Sequence, residues 1–181
     1  MRILRRTQFG NPILRQPTRE LSHEEIVSTK VKDFVVNMRY TLESKGYGVG
    51  LAAPQVGKAV AITVIGIKPT PSRPDNPVIN LVLINPKIIK KYGSKKTMWE
   101  GCISFGDTKN FPYAQVPRYK KIRVQWIDEM AKTHEEDFEG ITAHVLQHEI
   151  DHLNGVLFVD RVKDTKSYIT IAEYKKRFLK S

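Results

Sequence analysis

Cysteine is nearly absent from this sequence: Cys102 is the only one in 181 residues. No disulfide can form within the chain, so disulfide stapling is excluded and a reducing compartment is favoured. Long apolar runs are missing too. Nothing approaches the roughly 20 apolar residues of a membrane-spanning helix, and the run Ala59–Ile67 has the length of a strand. The opening MRILRRTQFG has no apolar segment of the kind a secretory signal carries. These absences predict a cytoplasmic chain with no membrane partner. No internal repeat or low-complexity tract occurs, and no Gly-Lys-Ser/Thr follows the glycine-rich stretch, which excludes a phosphate loop.

What is present is a composition of 40% hydrophobic and 27% charged residues, typical of a soluble globular protein. The length fits one domain over residues 1–181 with a sizeable core. Lys and Arg number 30 against 19 Asp and Glu, a net charge of +11. Such an excess attracts polyanions of any kind. The charges are spread along the chain rather than interleaved with exposed aromatics, so no specific nucleic-acid recognition is expected.

Residues 1–20 read as an irregular arm with Pro12 and Pro17. Ser22 and Glu25 fit a capping box. Val27, Val31, Phe34, Val35, Met38 and Leu42 then follow at steps of three and four, an amphipathic helix of about 20 residues ending near Lys45-Gly46. Gly48, Gly50 and Gly57 punctuate an uncharged stretch, which fits either a plain tight loop or a backbone closely approached by another group. Ala59–Ile67 and Leu81–Ile84 read as strands, joined by an exposed loop from Pro69 to Asn80 with four prolines. Asn85-Pro86 is expected to turn the chain into a short strand, Lys87–Tyr92. The alternation around Ile122, Val124 and Trp126 predicts another strand, and Thr133–Glu139 its polar neighbour. A final helix with a basic end (Lys175, Lys176, Arg177, Lys180) is expected within residues 163–181. Strands clustered before a late helix give an α+β class.

The chemistry concentrates in QHEIDHLNG, Gln147–Gly155. On a helix, His148 and His152 lie about 40° apart and one turn apart, so both imidazoles can converge on one metal ion. Glu149 sits about 100° round from His148, within reach of a water at that metal without being a ligand. Ile141, Val145, Ile150 and Leu153 supply the apolar stripe, and Asn154-Gly155 the stop. A core helix with two histidines and an acid is the competing reading. Catalytic metals generally take three protein ligands and an open position. The third candidates are Asp160 and Glu173 downstream and Cys102 upstream. As a zinc peptidase, with Asp160 or Glu173 as ligand, the chain would cleave peptide bonds. A lone buried cysteine, for its part, is often only a small hydrophobe.

GVGLAAPQ (Gly48–Gln55), EGCIS (Glu100–Ser104) and QHEIDHLNG resemble, in order, the three signature motifs of the peptide deformylases. Val82–Pro86, Val116–Arg118 and Leu157–Asp160 resemble family segments as well, so the likeness runs from about Pro12 to Val162. It implies a compact single α+β domain, antiparallel strands around the His-bearing helix, with N-terminal and C-terminal helices. It implies metal ligands Cys102, His148 and His152, and Glu149 as general base. The Gln55 amide and the Ile103 N–H are implied to receive the oxyanion. Val49 and Gly50 would pair with the substrate backbone, and Ile141, His144 and Val145 would line the methionine pocket. The implied reaction removes the N-formyl group from the starting methionine of newly made proteins, releasing formate: hydroxide supplied at the metal attacks the formyl carbon. The family's metal is Fe²⁺, with Zn²⁺ or Ni²⁺ in its place after oxidation. The implied partners are N-formylmethionyl nascent peptides and, through the basic C-terminal segment, the ribosome; a monomer is expected.

Two features depart from the family pattern. His144 occupies a usually apolar position, which predicts a pocket-wall or partly exposed histidine rather than a fourth ligand. The segments 69–80 and 105–115 look expanded and are expected to be tolerated surface insertions. Glu100 and Asp151, beside ligand positions, are expected to orient them, with Arg118 pairing to one of the two.

Overall fold

The structure is a computed structural model that describes residues 1–46, 48–71, 73–106 and 111–178. After a 3₁₀ turn at Pro12–Arg15 come α1 (His23–Val27) and α2 (Thr29–Lys45). Strands follow at β1 (Gly50–Ala52), β2 (Ile62–Ile67), β3 (Ile79–Gly101), β4 (Pro112–Ile127) and β5 (Thr133–Glu139). Then come the buried helix α3 (Gly140–Leu153), the short strand β6 (Ile169–Thr170) and α4 (Ile171–Phe178). The strands form one antiparallel sheet in the order β1-β2-β3-β4-β5, with β6 on β4.

The expected 20-residue helix is two helices. Ser22 and Glu25 do form the capping box, but Ser28 adopts extended backbone and closes α1 while opening α2. Its hydroxyl donates to the Glu25 carbonyl at 2.6 Å and accepts from the Val31 N–H at 3.3 Å. One serine satisfies orphan groups of both helix ends, so the apolar period continues across a break.

Asn85-Pro86 is likewise no turn. β3 runs through it as one 23-residue strand, antiparallel to β4 over most of its length. Between the pairs Ile84↔Ile127 and Lys87↔Gln125, β3 carries one extra residue, a β-bulge. Asn85 sits there at φ 51°, held by two hydrogen bonds of 2.9 Å between its amide and the backbone of Leu21. Two further register shifts follow, at Ile88/Lys90 and Tyr92/Lys95. Bulges bend and twist a strand, which accounts for the irregular exposure along its second half. They also gather lysines that are scattered in sequence. Lys90 and Lys121 lie over the Tyr92 ring, and Lys91 and Lys95 over Tyr119, at 4.9–5.7 Å. On this hairpin, charge and aromatics are interleaved after all.

β2 is buried on both faces. Ile62 and Val64 pack with Val35, Met38 and Leu42 of α2, while Ile65 and Ile67 share a cluster with Ala143, Leu146 and Ile150 of α3. That is why its sequence is a continuous apolar run rather than an alternation. α3 is covered on most sides, not along one stripe only: its buried residues include Thr142, His144, Gln147, Glu149 and His152. Gln147 ties it to the sheet, accepting from the Tyr119 N–H at 3.0 Å and donating to the Tyr119 carbonyl at 2.9 Å. The final helix begins only at Ile171, with a 3₁₀ turn at Thr165–Ser167 before it. Lys180, part of the expected basic end, lies outside the described residues. No described helix is long and apolar enough to cross a membrane.

Candidate metal centre

α3 presents His148 and His152 on one face, as the period of four requires. Cys102 comes from the end of β3, in extended backbone at the entry to a 3₁₀ turn, Ile103–Phe105. The Cys102 sulfur and one nitrogen of each histidine all lie within 4.8 Å of one another. Sγ is 3.3 Å from Nε2 of His152. Tetrahedral bonding at about 2.3 Å to sulfur and 2.0–2.1 Å to nitrogen would separate two such ligand atoms by roughly 3.5 Å. One thiolate and two imidazoles at this spacing fit a single divalent ion of borderline softness. Of the three candidates for the third donor, only Cys102 joins the histidines. Asp160 is bound to Arg15 and to the Leu157 N–H, and Glu173 pairs with Arg177.

Behind the ligands lies a chain of charges. His148 Nδ1 is 2.9 Å from Glu100 Oε2. Arg118 grips Glu100 through Nε and Nη2 at 2.7 and 3.0 Å and reaches Asp151 through Nη1. Asp151 is held in turn by Arg161 at 2.7 Å. Burial alone would raise the Glu100 carboxyl, but His148 and Arg118, which hydrogen-bond it, and the nearby His144 imidazole hold it well below the usual carboxylate range. Burial would lower His148, yet Cys102 and Glu100 hold it well above the usual imidazole value. Burial, then the charges of His148 and Arg118, depress His152 strongly.

Glu149 is 3% exposed, and its Oε2 is buried without a hydrogen-bond partner. Burial pushes its carboxyl up to about 7. A Cβ on Gly50 would lie 2.4 Å from Glu149 Oε1, so the motif glycine is there to let β1 pass against the acid. Gln55 fixes its own amide: Oε1 accepts from the Ala52 N–H at 2.8 Å, and Nε2 points at Cys102 Sγ at 3.3 Å. Ile103 opens the 3₁₀ turn, so its N–H belongs to the end of that turn that has no partner within it. β1 forms the edge of the sheet, and the Val49 carbonyl accepts from the Gly66 N–H at 2.9 Å.

Gln55, Glu100, Cys102, Ile103, His148 and Glu149 line one cavity of about 120 Å³, together with Val49, Gly50, Ile141, His144 and Val145. His144 is 5% exposed, a pocket wall and not a partly exposed residue. Sequence reasoning missed Arg73, Trp99, Phe111 and Tyr113, which share the lining. Arg73 belongs to the proline-rich loop and Phe111 and Tyr113 to the other expanded segment, so both reach the cavity and are more than surface insertions. Residues 107–110 of that segment lie outside the described residues. Trp99, two residues before Gly101 in the Cys102 motif, was the one with a sequence signal.

Comparison with known proteins agrees with this geometry. The profile of the polypeptide deformylase family matches residues 3–168. A peptide deformylase of Leptospira biflexa is 40% identical over 163 residues, 89% of this chain and 88% of that one. Among solved structures, a class I type b peptide deformylase from Acinetobacter baumannii with Met-Ala-Ser bound superposes with a TM-score of 0.82 at 31% identity. That match covers 89% of this chain and 99% of the other. The peptide deformylase of Thermotoga maritima gives 0.77 at 31% identity, over 91% of this chain and all of its own. The chain belongs to the polypeptide deformylase family.

Proposed function

We infer that this chain removes the N-formyl group from the N-terminal methionine of newly synthesised proteins, releasing formate. The observation that carries the reading is the placement of Glu149, buried against the β1 edge beside the Cys102, His148 and His152 cluster. A divalent metal held by those three ligands would supply a Lewis acid that polarises the formyl oxygen and eases loss of a proton from water. The peptide lies along β1, pairing with the backbone of Val49 and Gly50 as an added strand. Its methionine side chain enters between Ile141, His144 and Val145. Glu149 takes the proton from the attacking water at its unpartnered Oε2 and hands it to the departing amine. As the water oxygen bonds to the formyl carbon, the Gln55 amide and the Ile103 N–H receive the charge on the formyl oxygen. The carbon–nitrogen bond then breaks to give formate and the free amine.

The metal we propose for the cell is Fe²⁺, with Zn²⁺ or Ni²⁺ replacing it in purified protein. The thiolate ligand and the single buried cysteine suit a reducing cytoplasm. The exposed Lys175, Lys176 and Arg177 on α4 are the proposed transient contact with the ribosome, and the chain acts as a monomer. The peptidase alternative is not favoured, since neither Asp160 nor Glu173 approaches the histidines.

The test is formate release from formyl-Met-Ala-Ser by protein prepared anaerobically with Fe²⁺, beside a Glu149→Ala control. Release by the parent and none by the control supports the reaction and the base together. No release from fully metallated parent overturns the reading.

A further inference from the structure

We propose that the pocket for the first side chain is polar at His144, and that this chain also deformylates peptides beginning with oxidised methionine, formyl-methionine sulfoxide. The inference rests on the deformylase reading above. Two further observations carry it.

The first is the state of His144 itself. It is 5% exposed, and neither ring nitrogen has a hydrogen-bond partner among the described residues. Nε2 lies 2.9 Å from Glu100 Oε1, but off the direction a hydrogen bond needs, and that oxygen already accepts from Arg118 Nε at 2.7 Å. Buried polar groups in folded proteins are almost always paired, with protein, water or ligand. An imidazole left unpaired on a cavity wall is therefore a hydrogen-bonding group in want of a ligand.

The second is what lies beyond it. His144 and Ile141 line the metal cavity and also a second cavity of about 760 Å³. Lys95, Lys96, Lys120 and Lys121 line that second cavity. Among the described residues only Lys121 of these four has an ion-pair partner, Asp137 at 3.1 Å. Glu139 shares that lining, and Arg118 there is paired with Glu100 and Asp151, so the wall that meets the tip of the first side chain is backed by a surplus of positive charge, not by an apolar core.

Methionine sulfoxide has the length of methionine, with a strongly accepting oxygen on the sulfur. A wholly apolar pocket would strand that oxygen without a donor, and sites reject ligands whose polar groups they leave unpaired. Here the imidazole N–H and the lysine field receive it. The reaction is otherwise unchanged. Water adds to the formyl carbon, the carbon–nitrogen bond breaks, and the sulfoxide leaves intact with no oxidant or reductant consumed.

The experiment compares kcat/KM for formyl-Met-Ala-Ser, formyl-Met-sulfoxide-Ala-Ser and formyl-norleucine-Ala-Ser, with the parent, His144→Leu and His144→Gln. Each enzyme is judged by its own ratio of sulfoxide to norleucine, so a general loss of activity cancels. The parent is expected to hold that ratio within about tenfold of unity, His144→Leu to lower it at least about tenfold, and His144→Gln, which keeps a donor, to restore most of it. If His144→Leu does not fold, Lys96→Glu, at an exposed position, is expected to lower the ratio as well. A parent that cleaves the methionine peptide but disfavours the sulfoxide a hundredfold against norleucine overturns this inference alone. So does a ratio unchanged in the folded variants. A parent that releases formate from none of the three overturns the deformylase reading, and this inference with it.

Discussion

The Glu100 carboxylate meets Nδ1 of His148 at 2.9 Å, which fixes the ring so that Nε2 is left for the metal. Arg118 holds that carboxylate in place by two bonds of its own. Glu100→Ala should therefore lower metal affinity by about 10–100-fold. It also takes from the buried Arg118 guanidinium one of its two carboxylate partners, leaving Asp151, at a cost to stability of up to about 3–5 kcal/mol. Chelator competition measures the first effect and urea unfolding the second. Unchanged metal retention would show that Glu100 does not orient His148.

Glu149 is the residue whose loss should separate chemistry from binding. Glu149→Gln keeps the shape against Gly50 but removes the proton acceptor. We expect kcat to fall by about 10²–10⁴-fold while the metal content stays near that of the parent. Formate release and metal analysis on the same sample check both halves.

The same carboxyl makes the stability of metal-stripped protein depend on pH. Burial raises the folded value to about 7, above the 4.5 of the unfolded chain. A raised group contributes its full stability below the unfolded value and loses it as pH climbs through the folded one. Between pH 4.5 and 7 this amounts to at most about 3 kcal/mol. Chelator-treated parent should thus lose more melting temperature from pH 5 to pH 8 than chelator-treated Glu149→Gln. A bound cation favours the ionised carboxylate and should flatten the difference.

Gly50→Ala tests the close passage of β1. The added methyl would overlap the Glu149 carboxylate, which must then shift. Misplacement of a catalytic group by about 1 Å costs on the order of 10² in rate. We expect a loss of that size in kcat with the metal retained. A rate within threefold of the parent would mean that Glu149 tolerates displacement.

How far the site was legible in the sequence follows from the range over which each signal acts. His148, Glu149 and His152 were readable because helical geometry relates residues four apart. Cys102 was not, since its approach to His152 depends on where β3 ends above α3; only the resemblance of its motif singled it out. Gln147 stood inside a recognised motif, yet its bonds to Tyr119 need the folded strand. Asn85-Pro86 carried a turn signal, and its local backbone is indeed unusual, but pairing with β4 absorbs it as a bulge. The helix break at Ser28 was hidden because apolar spacing reports which face is buried, not whether the backbone is continuous. The gathering of lysines around Tyr92 and Tyr119 arises from three register shifts that no local pattern encodes.

The basic end of α4 has to be tested without disturbing the packed face of the same helix. Truncation after Lys163 would remove the charges, but it would also take Tyr174 off Tyr113, a ring on which it stacks at 5.0 Å. Tyr174 also meets Trp99 edge-on at 5.6 Å. Both partners line the cavity beside Glu149 and Cys102, so a truncated chain that lost activity would say nothing of the ribosome. Charge reversal avoids this, because Lys175 and Lys176 are exposed while Tyr174 and Ile171 face inward. The double variant Lys175→Glu, Lys176→Glu should release formate from formyl-Met-Ala-Ser at the parental rate. Its co-sedimentation with ribosomes should fall, and the parent's should fall with added salt as screening shortens the reach of those charges. Equal sedimentation of parent and variant at low salt would remove α4 as the docking element and shift attention to the lysines of the β3–β4 hairpin.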